Sequence, residues 1–215
     1  MEAQSIVALT FDDGPNPEIT LPLLEICAEY EIPASFFVVG ERISRETAGT
    51  VKKAFLQGCE ICNHSFSHPD MSKLSGEEIA EQVQKTSELV REITGSLPRF
   101  FRPPYIAVSE EMFRLIHMPF IAGFGAEDYN PAVSAKERVR RILSQVRDGA
   151  VILLHDAAGN TQTVDAVREL IPALLARGYR FVTVSELFAE KGITPQTHII
   201  YSYAEQTSMY AENTG

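Results

Sequence analysis

The chain is 215 residues long, 45% hydrophobic and 22% charged, which describes one globular domain with enough apolar residues to bury a sizeable core. Nineteen Lys and Arg against 29 Asp and Glu leave a net charge of −10, the wrong sign for general attraction to phosphate backbones or an anionic membrane, so nucleic acid is excluded as a natural partner. No uncharged apolar stretch approaches the ~18 residues of a membrane span, and three cysteines, Cys27, Cys59 and Cys62, are too few and odd in number for a disulfide scaffold. Nothing in the first residues reads as a signal peptide. As written the chain suits a reducing, cytoplasmic compartment, and a secreted or cell-surface protein whose leader had been removed would read the same.

In chain order, apolar β-rich runs alternate with segments of helical period. Residues 6–11 read as a strand, and residues 21–30, opened by Pro22 and carrying Leu23, Leu24, Ile26 and Cys27, as a helix. Residues 34–39 form a run that is apolar apart from Ser35, expected of a strand buried on both faces, and Gly40 ends it. A helix is expected over 44–57. The next, after Ser75, is better marked. Ser75 and Glu78 make a capping box, and Ile79, Val83, Thr86, Val90 and Ile93 keep one face before Gly95. Ser134 and Glu137 repeat the box ahead of Val139, Ile142, Leu143 and Val146, and Gly149 precedes the apolar run 150–154. A last stripe, Val164, Val167, Ile171 and Leu174, leads through Gly178 to a strand over 179–184. With weaker segments at 58–62, 99–102 and 120–124, seven β-like segments alternate with helices, which implies a parallel sheet with crossover connections, as an α/β barrel or an open doubly wound sheet. From Lys191 to Gly215 the periodicity is lost.

In parallel α/β folds sites form where strands end, so the polar residues closing each apolar run carry the functional argument. The first run closes in Thr10-Phe11-Asp12-Asp13-Gly14-Pro15. Adjacent carboxylates on an extended segment project to different sides and can serve different roles, although Asp-Gly-Pro is also ordinary turn chemistry. Another ends in His64-Ser65-Phe66-Ser67-His68, whose two imidazoles converge from a helix or a loop. With Asp13 they would make a two-histidine, one-carboxylate metal site, the alternative being a chance pair on a solvated loop. Cys59 and Cys62 stand at C-x-x-C spacing upstream, but free cysteine in an apolar strand is usually core. Arg102-Pro103-Pro104-Tyr105 has two prolines that leave the Tyr105 amide as the next donor, and Arg102 can orient a carboxylate or simply face solvent. His155 follows an apolar run and suits an acid or base of tunable pKa, or a satisfied core histidine. His117 and His198 lack such settings.

These four motifs, in this order and spread over about 150 residues, resemble those of the polysaccharide deacetylase family, carbohydrate esterase family 4. The resemblance implies an α/β fold, a distorted (β/α) barrel of usually seven parallel strands, with a catalytic domain over 1–190 and an extension over 191–215. It also implies Asp13, His64 and His68 as ligands of a divalent metal, zinc above cobalt or nickel, and Asp12 as general base positioned by Arg102. The Tyr105 amide would stabilise the oxyanion, His155 would protonate the leaving group, and Leu153 would line the acetyl-methyl pocket. One motif departs: where the family carries Asp-x-x-Asp-Trp, this chain has Gly125-Ala126-Glu127-Asp128-Tyr129. Asp128 would still hold His155, and Tyr129 would replace the tryptophan as a more polar aromatic wall. Ile106 stands where a glycine often follows the tyrosine.

The function implied is metal-dependent hydrolysis of acetyl groups on carbohydrate, with N-acetylglucosamine units of chitin- or peptidoglycan-like material ahead of O-acetylated xylan. Two histidines and a carboxylate can also hold iron for oxygen chemistry, which would leave Asp12, Arg102 and His155 unexplained. A catalytically impaired carbohydrate-binding protein of the same fold is the remaining alternative, supported only by the altered 125–129 motif.

Overall fold

The structure, a computed structural model, describes residues 4–209. Strand β1 (Ile6–Asp12), buried along its whole length, is the axis of the fold. It pairs in parallel with β2 (Ser35–Val38), with β6 (Ala150–His155) and, over Ile6–Ala8, with β7 (Arg180–Val182). Beyond these lie β3 (Glu60–Asn63) against β2 and β5 (Phe124–Gly125) against β6, giving the order β3-β2-β1-β6-β5. A second parallel pair, β4 (Phe120–Ile121) with β8 (Ile200–Tyr201), closes the ring: Phe101 bridges Asn63 on one side and Phe120 on the other, and Tyr203 bridges Ala150. The result is the distorted α/β barrel, and seven helices surround it among the described residues: α1 (Pro17–Glu29), α2 (Ala48–Leu56), α3 (Gly76–Thr94), α4 (Glu110–Leu115), α5 (Ala135–Gln145), α6 (Thr161–Ala176) and α7 (Val184–Glu190).

Alternation along β1 decides what faces where. Val7, Leu9 and Phe11 pack outward with Leu23 and Leu24 of α1 and Leu170, Ile171 and Leu174 of α6. Ile6 and Ala8 face inward with Phe37, Cys62, Val151 and Tyr201. Thr10 and Asp12 continue that inner face, so the apolar filling of the barrel gives way to polar groups at its upper mouth.

Several expected elements differ. Residues 99–102 make no ladder, only the bridges of Phe101, because Pro98 and Pro103 bound a four-residue stretch and Pro103 has no N–H to continue it. The strand expected over 120–124 is divided into β4 and β5 at Ala122 and Gly123, whose amides both donate to Tyr201 O, and Gly123 takes φ 83°. At 179–184 the strand stops at Val182, because Thr183 caps α7 in a reciprocal box with Glu186. Helix α1 starts four residues before the expected 21, at Pro17, and contains Pro22; α2 begins only at Ala48. The Ser75–Glu78 box forms in full. At Ser134 only half forms, since Glu137 turns its carboxylate to Arg140 and Arg141. The aperiodic extension is packed where it is described: Ile199, Ile200, Tyr201 and Ala204 are buried, and Lys191 pairs with Asp148 and Glu205. Its residues 210–215 lie outside the described part.

Candidate active site

The mouth of the barrel gathers the ends of β1, β3 and β6 and the loops after Phe101 and β5. Asp13, with φ 77°, turns the chain out of β1, and its carboxylate comes within 3.4 Å of His68 Nε2 and 3.9 Å of His64 Nε2. One ligand atom from each of these three residues lies within 4.8 Å of the others, the one such cluster among the described residues. A tetrahedral zinc with bonds of about 2.0–2.2 Å holds its donors roughly 3.4 Å apart, so a small closure of this triangle accommodates the ion. Two further observations fit a cation. Asp13 Oδ1 is buried without a hydrogen-bond partner. His64 Nδ1 lies 2.7 Å from Arg102 O, and since a carbonyl only accepts, Nδ1 carries the proton and Nε2 presents its lone pair to the cluster. Burial, with the neighbouring His68 and Arg102, lowers the His64 pKa to about 3, which keeps that lone pair free.

The His64–His68 segment is a loop, with Ser65 and His68 both at positive φ, so the convergence is not helical. Helix α3 holds it: Gln82 Oε1 accepts from the Phe66 and Ser67 amides, and Thr86 donates to Ser65 O. Asn63 donates to Val83 O and Ser87 Oγ while accepting from Ser65 N. Cys59 and Cys62 are buried elsewhere, Cys62 in the barrel interior, and burial pushes the Cys59 thiol up to about 11 and Cys62 well above its ordinary value. Neither belongs to the cluster.

Asp12 is almost fully buried beside the triangle, its Oδ2 3.6 Å from His64 Nε2. Arg102, 0% exposed, donates through Nη1 to Asp12 Oδ1 and through Nη2 to Thr10 Oγ1, while its guanidinium lies 4.0 Å over the Phe37 ring. Burial raises the Asp12 pKa, and Arg102 and His155 oppose that rise. Arg102 therefore faces the barrel interior, not solvent. After Pro103, residues Pro104–Ile106 make a tight turn in which Tyr105 and Ile106 both have positive φ. Ile106 N and Ala107 N bond back to Pro103 O and Pro104 O, which leaves the Tyr105 amide as the free N–H of the turn. The Tyr105 ring, 70% exposed, meets His68 edge-on at 4.8 Å.

Opposite the triangle, His155 closes β6. Its Nδ1 is 2.7 Å from Asp128 Oδ1 and its backbone N donates to Asp128 Oδ2. Burial alone would lower the His155 pKa, but the hydrogen bond and charge of Asp128, with the charges of Asp12 and Asp13, raise it to about 9, so the imidazolium persists at neutral pH. Tyr129 stands at the rim, 70% exposed, its ring 6.0 Å from His155. A cleft of about 430 Å³ is bounded by both aspartates, both histidines of the triangle, His155, Leu153, Ile106 and the two tyrosines. All ten residues expected at the site thus converge on one mouth, with Arg102 and Asp128 behind the cleft wall. At Gly125, a Cβ would lie 2.8 Å from Leu153 O across the β5–β6 pair, so the aspartate of the family pattern does not fit this backbone.

Sequence reasoning missed the residues that hold these groups: Thr10, Gln82, Thr86, Arg138, Asn160 and Thr163, none of which ends a strand. Asp156 was also missed, though it adjoins His155. Buried beneath the Asp13–Gly14 turn, it accepts from Thr20 Oγ1 at 2.5 Å, and a Cβ at Gly14 would strike its Oδ2 at 2.1 Å.

A family model described as polysaccharide deacetylase matches residues 2–117. A bifunctional xylanase/deacetylase of Pseudobutyrivibrio xylanivorans is 42% identical over 192 residues, 89% of this chain and 32% of its own length; the chain thus spans about a third of that relative. Among solved structures, the Xyl-CE4 domain of a multidomain xylanase from the hindgut metagenome of Trinervitermes trinervoides superposes with a TM-score of 0.92 at 40% identity, covering 94% of this chain and 98% of that one. A family 4 acetyl xylan esterase from Clostridium thermocellum, in complex with a cobalt ion, gives 0.90 at 36% identity over 94% and 100%.

Proposed function

The chain belongs to the polysaccharide deacetylase family, and from that premise we propose that it is a metal-dependent hydrolase removing acetyl groups from carbohydrate. The observation that carries this reading is the orphaned Asp13 Oδ1 facing two histidines, flanked by a buried Asp12–Arg102 pair and by a His155 held protonated. Asp13, His64 and His68 would hold the ion, zinc in our reading. A divalent ion so bound lowers the pKa of water and polarises a carbonyl oxygen.

The rest of the chemistry belongs to the chain. Asp12, raised in pKa by burial yet kept ionisable by Arg102, takes the proton of the attacking water. The Tyr105 amide donates to the oxygen on which charge develops as the acetyl carbon becomes tetrahedral. His155 gives its Nε2 proton to the departing nitrogen or oxygen, while Asp128 holds Nδ1. Leu153 lines the space for the acetyl methyl group, and Tyr105 and Tyr129 supply exposed ring faces for sugar.

An N-acetylglucosamine-containing oligo- or polysaccharide is the first reading of the substrate, because an amine leaves only when protonated and His155 carries that proton at neutral pH. O-acetylated xylan is the second, favoured by the xylan-linked names of the relatives above. Acetate release from chitooligosaccharide and from acetylated xylooligosaccharide, with and without a chelator, tests both readings. No chelator-sensitive release from either substrate removes the proposal. A preference in kcat/KM of more than about tenfold for the xylan ester, roughly 1.4 kcal/mol of transition-state binding, reverses the substrate order.

A further inference from the structure

Behind Asp128 lies a buried arginine that the chemistry above does not use. Arg138, on α5, is 1% exposed. Its Nη1 donates to Thr163 Oγ1 at 2.8 Å and to Asn160 Oδ1 at 2.7 Å. Thr163 Oγ1 in turn lies 2.7 Å from Asp128 Oδ2, and Asn160 Nδ2 reaches the same oxygen at 3.3 Å and His155 O at 3.0 Å. Donor chemistry gives these contacts a single direction. A guanidinium cannot accept and a carboxylate cannot donate, so the lone hydroxyl proton of Thr163 must point at Asp128. Likewise the Asn160 amide must present its oxygen to Arg138, which turns its NH₂ toward Asp128 and the His155 carbonyl. Oδ2 is thereby occupied by Thr163, Asn160 and the His155 amide, and Oδ1 is left for the imidazole.

We infer that Arg138 is a positioning residue of the acetyl-transfer site: through Thr163 and Asn160 it locks the Asp128 carboxylate in the one orientation that holds His155 for proton delivery. This rests on the reading of His155 as leaving-group acid. The position of Arg138, 10 residues past Asp128 and outside the residues that bound the 430 Å³ cleft, and its burial among polar partners in the absence of any direct carboxylate contact, are explained by this role. Arg138 also ties the 130–133 loop to α5, with Nε donating to Val133 O at 2.9 Å and Nη2 to Asn130 O at 3.4 Å. A test must therefore separate the relay from the loop, and Thr163→Val does so, since it removes only the hydroxyl between Arg138 and Asp128.

The experiment compares Arg138→Met, Arg138→Lys, Thr163→Val and the Arg138→Met/Thr163→Val double variant, loaded with zinc, on two substrates. An N-acetylated oligosaccharide needs a proton at its leaving group, and 4-nitrophenyl acetate does not. Arg138→Met and Thr163→Val are each expected to lower kcat on the oligosaccharide about tenfold and on the aryl ester less than about twofold. Arg138→Lys is expected to recover most of the loss, and the double variant to be no worse than Arg138→Met alone, because removing Arg138 already frees Thr163. A readout free of turnover is the NMR signal of the His155 Nδ1 proton, expected sharp in the wild type and Arg138→Lys and broadened in Thr163→Val and Arg138→Met. Equal losses on both substrates, additive losses, or an undisturbed Nδ1 signal in both variants would overturn the inference. His155→Ala is the control: if it loses both activities equally, the acid reading itself is wrong, whereas a split there with none in Thr163→Val rejects the role of Arg138 alone.

Discussion

The pair His155–Asp128 makes a quantitative prediction about pH. Replacing Asp128 with Asn keeps the shape and an acceptor for Nδ1 but removes the charge. In the wild type that charge and hydrogen bond, helped by Asp12 and Asp13, overcome burial and set His155 at about 9. Without them burial is opposed only by the more distant aspartates, and the value is expected to fall to the ordinary 6.5 or below. At pH 8 the protonated fraction then drops from about 0.9 to about 0.03, roughly thirtyfold, whereas at pH 6 it drops only from about 1.0 to about 0.8. The ratio of wild-type to variant kcat on an N-acetylated oligosaccharide, from pH 6 to 8.5 with saturating zinc, isolates this change, because the metal and Asp12 contribute alike to both proteins. The ratio should rise about twentyfold over two pH units. A ratio that is constant with pH would refute the assignment of His155 as an acid held charged by Asp128. Stability should follow the same pair. Since the folded pKa of His155 is raised and that of Asp128 lowered, the wild-type advantage in Tm should be fullest between about pH 4 and 6.5 and vanish as the pH rises through about 9.

Asp12→Asn should retain zinc while lowering kcat by about 10²–10⁴, because the amide cannot take a proton; loss of the metal in this variant would make Asp12 a ligand instead. Calorimetric titration with zinc should show binding abolished by Asp13→Ala and by His68→Ala and unchanged by Cys62→Ala, whose thiol lies in the apolar barrel interior; weaker binding in Cys62→Ala would bring a thiolate into the site. Gly125→Asp, which restores one family residue, should lower stability by about 1–3 kcal/mol, since its Cβ meets a backbone oxygen at 2.8 Å, and an unchanged Tm would show that β5 yields.

What the sequence disclosed, and what it hid, divides along covalent connection. Groups at or just past strand ends were legible because a parallel barrel brings every strand's C-terminal end to one mouth, which gathers Asp12, Asp13, His64 and His155, while Arg102 joins them from the segment that Phe101 bridges. The weak strands misled because pairing there depends on partners far away in the chain: Tyr201, from an extension without periodicity, takes the amides of Ala122 and Gly123 and divides the segment 120–124. The supporting side chains were illegible for a related reason. Thr86 and Gln82 sit on the ordinary polar-to-apolar boundary of α3, and Arg138 shares α5 with Arg140 and Arg141, which face solvent in ion pairs with Glu137. A helical sequence does not distinguish an arginine buried in a polar network from two beside it on the surface.

Four carboxylates crowd this mouth, and their partners give each a different character. Asp13, with a buried oxygen that has no hydrogen-bond partner although the Arg42 guanidinium stands 3.6 Å away, is suited to a cation. Asp12 is raised by burial, and its pairing with Arg102 opposes that rise, as a carboxylate that is to accept a proton requires. For Asp128 burial also opposes charge, yet the donors His155 and Thr163 outweigh it and its pKa falls, as an anchor for an imidazolium requires. Asp156 has burial unrelieved by any cation; its pKa rises to about 7 against only the Thr20 hydroxyl and the Gly14 amide, so its work is steric and local, beneath the turn that carries Asp13. Proximity of like charges would ordinarily push all four toward protonation. Here Arg102 on one side and His155 on the other divide them, the arrangement that the proposed pairing of a base with an acid in one cleft calls for.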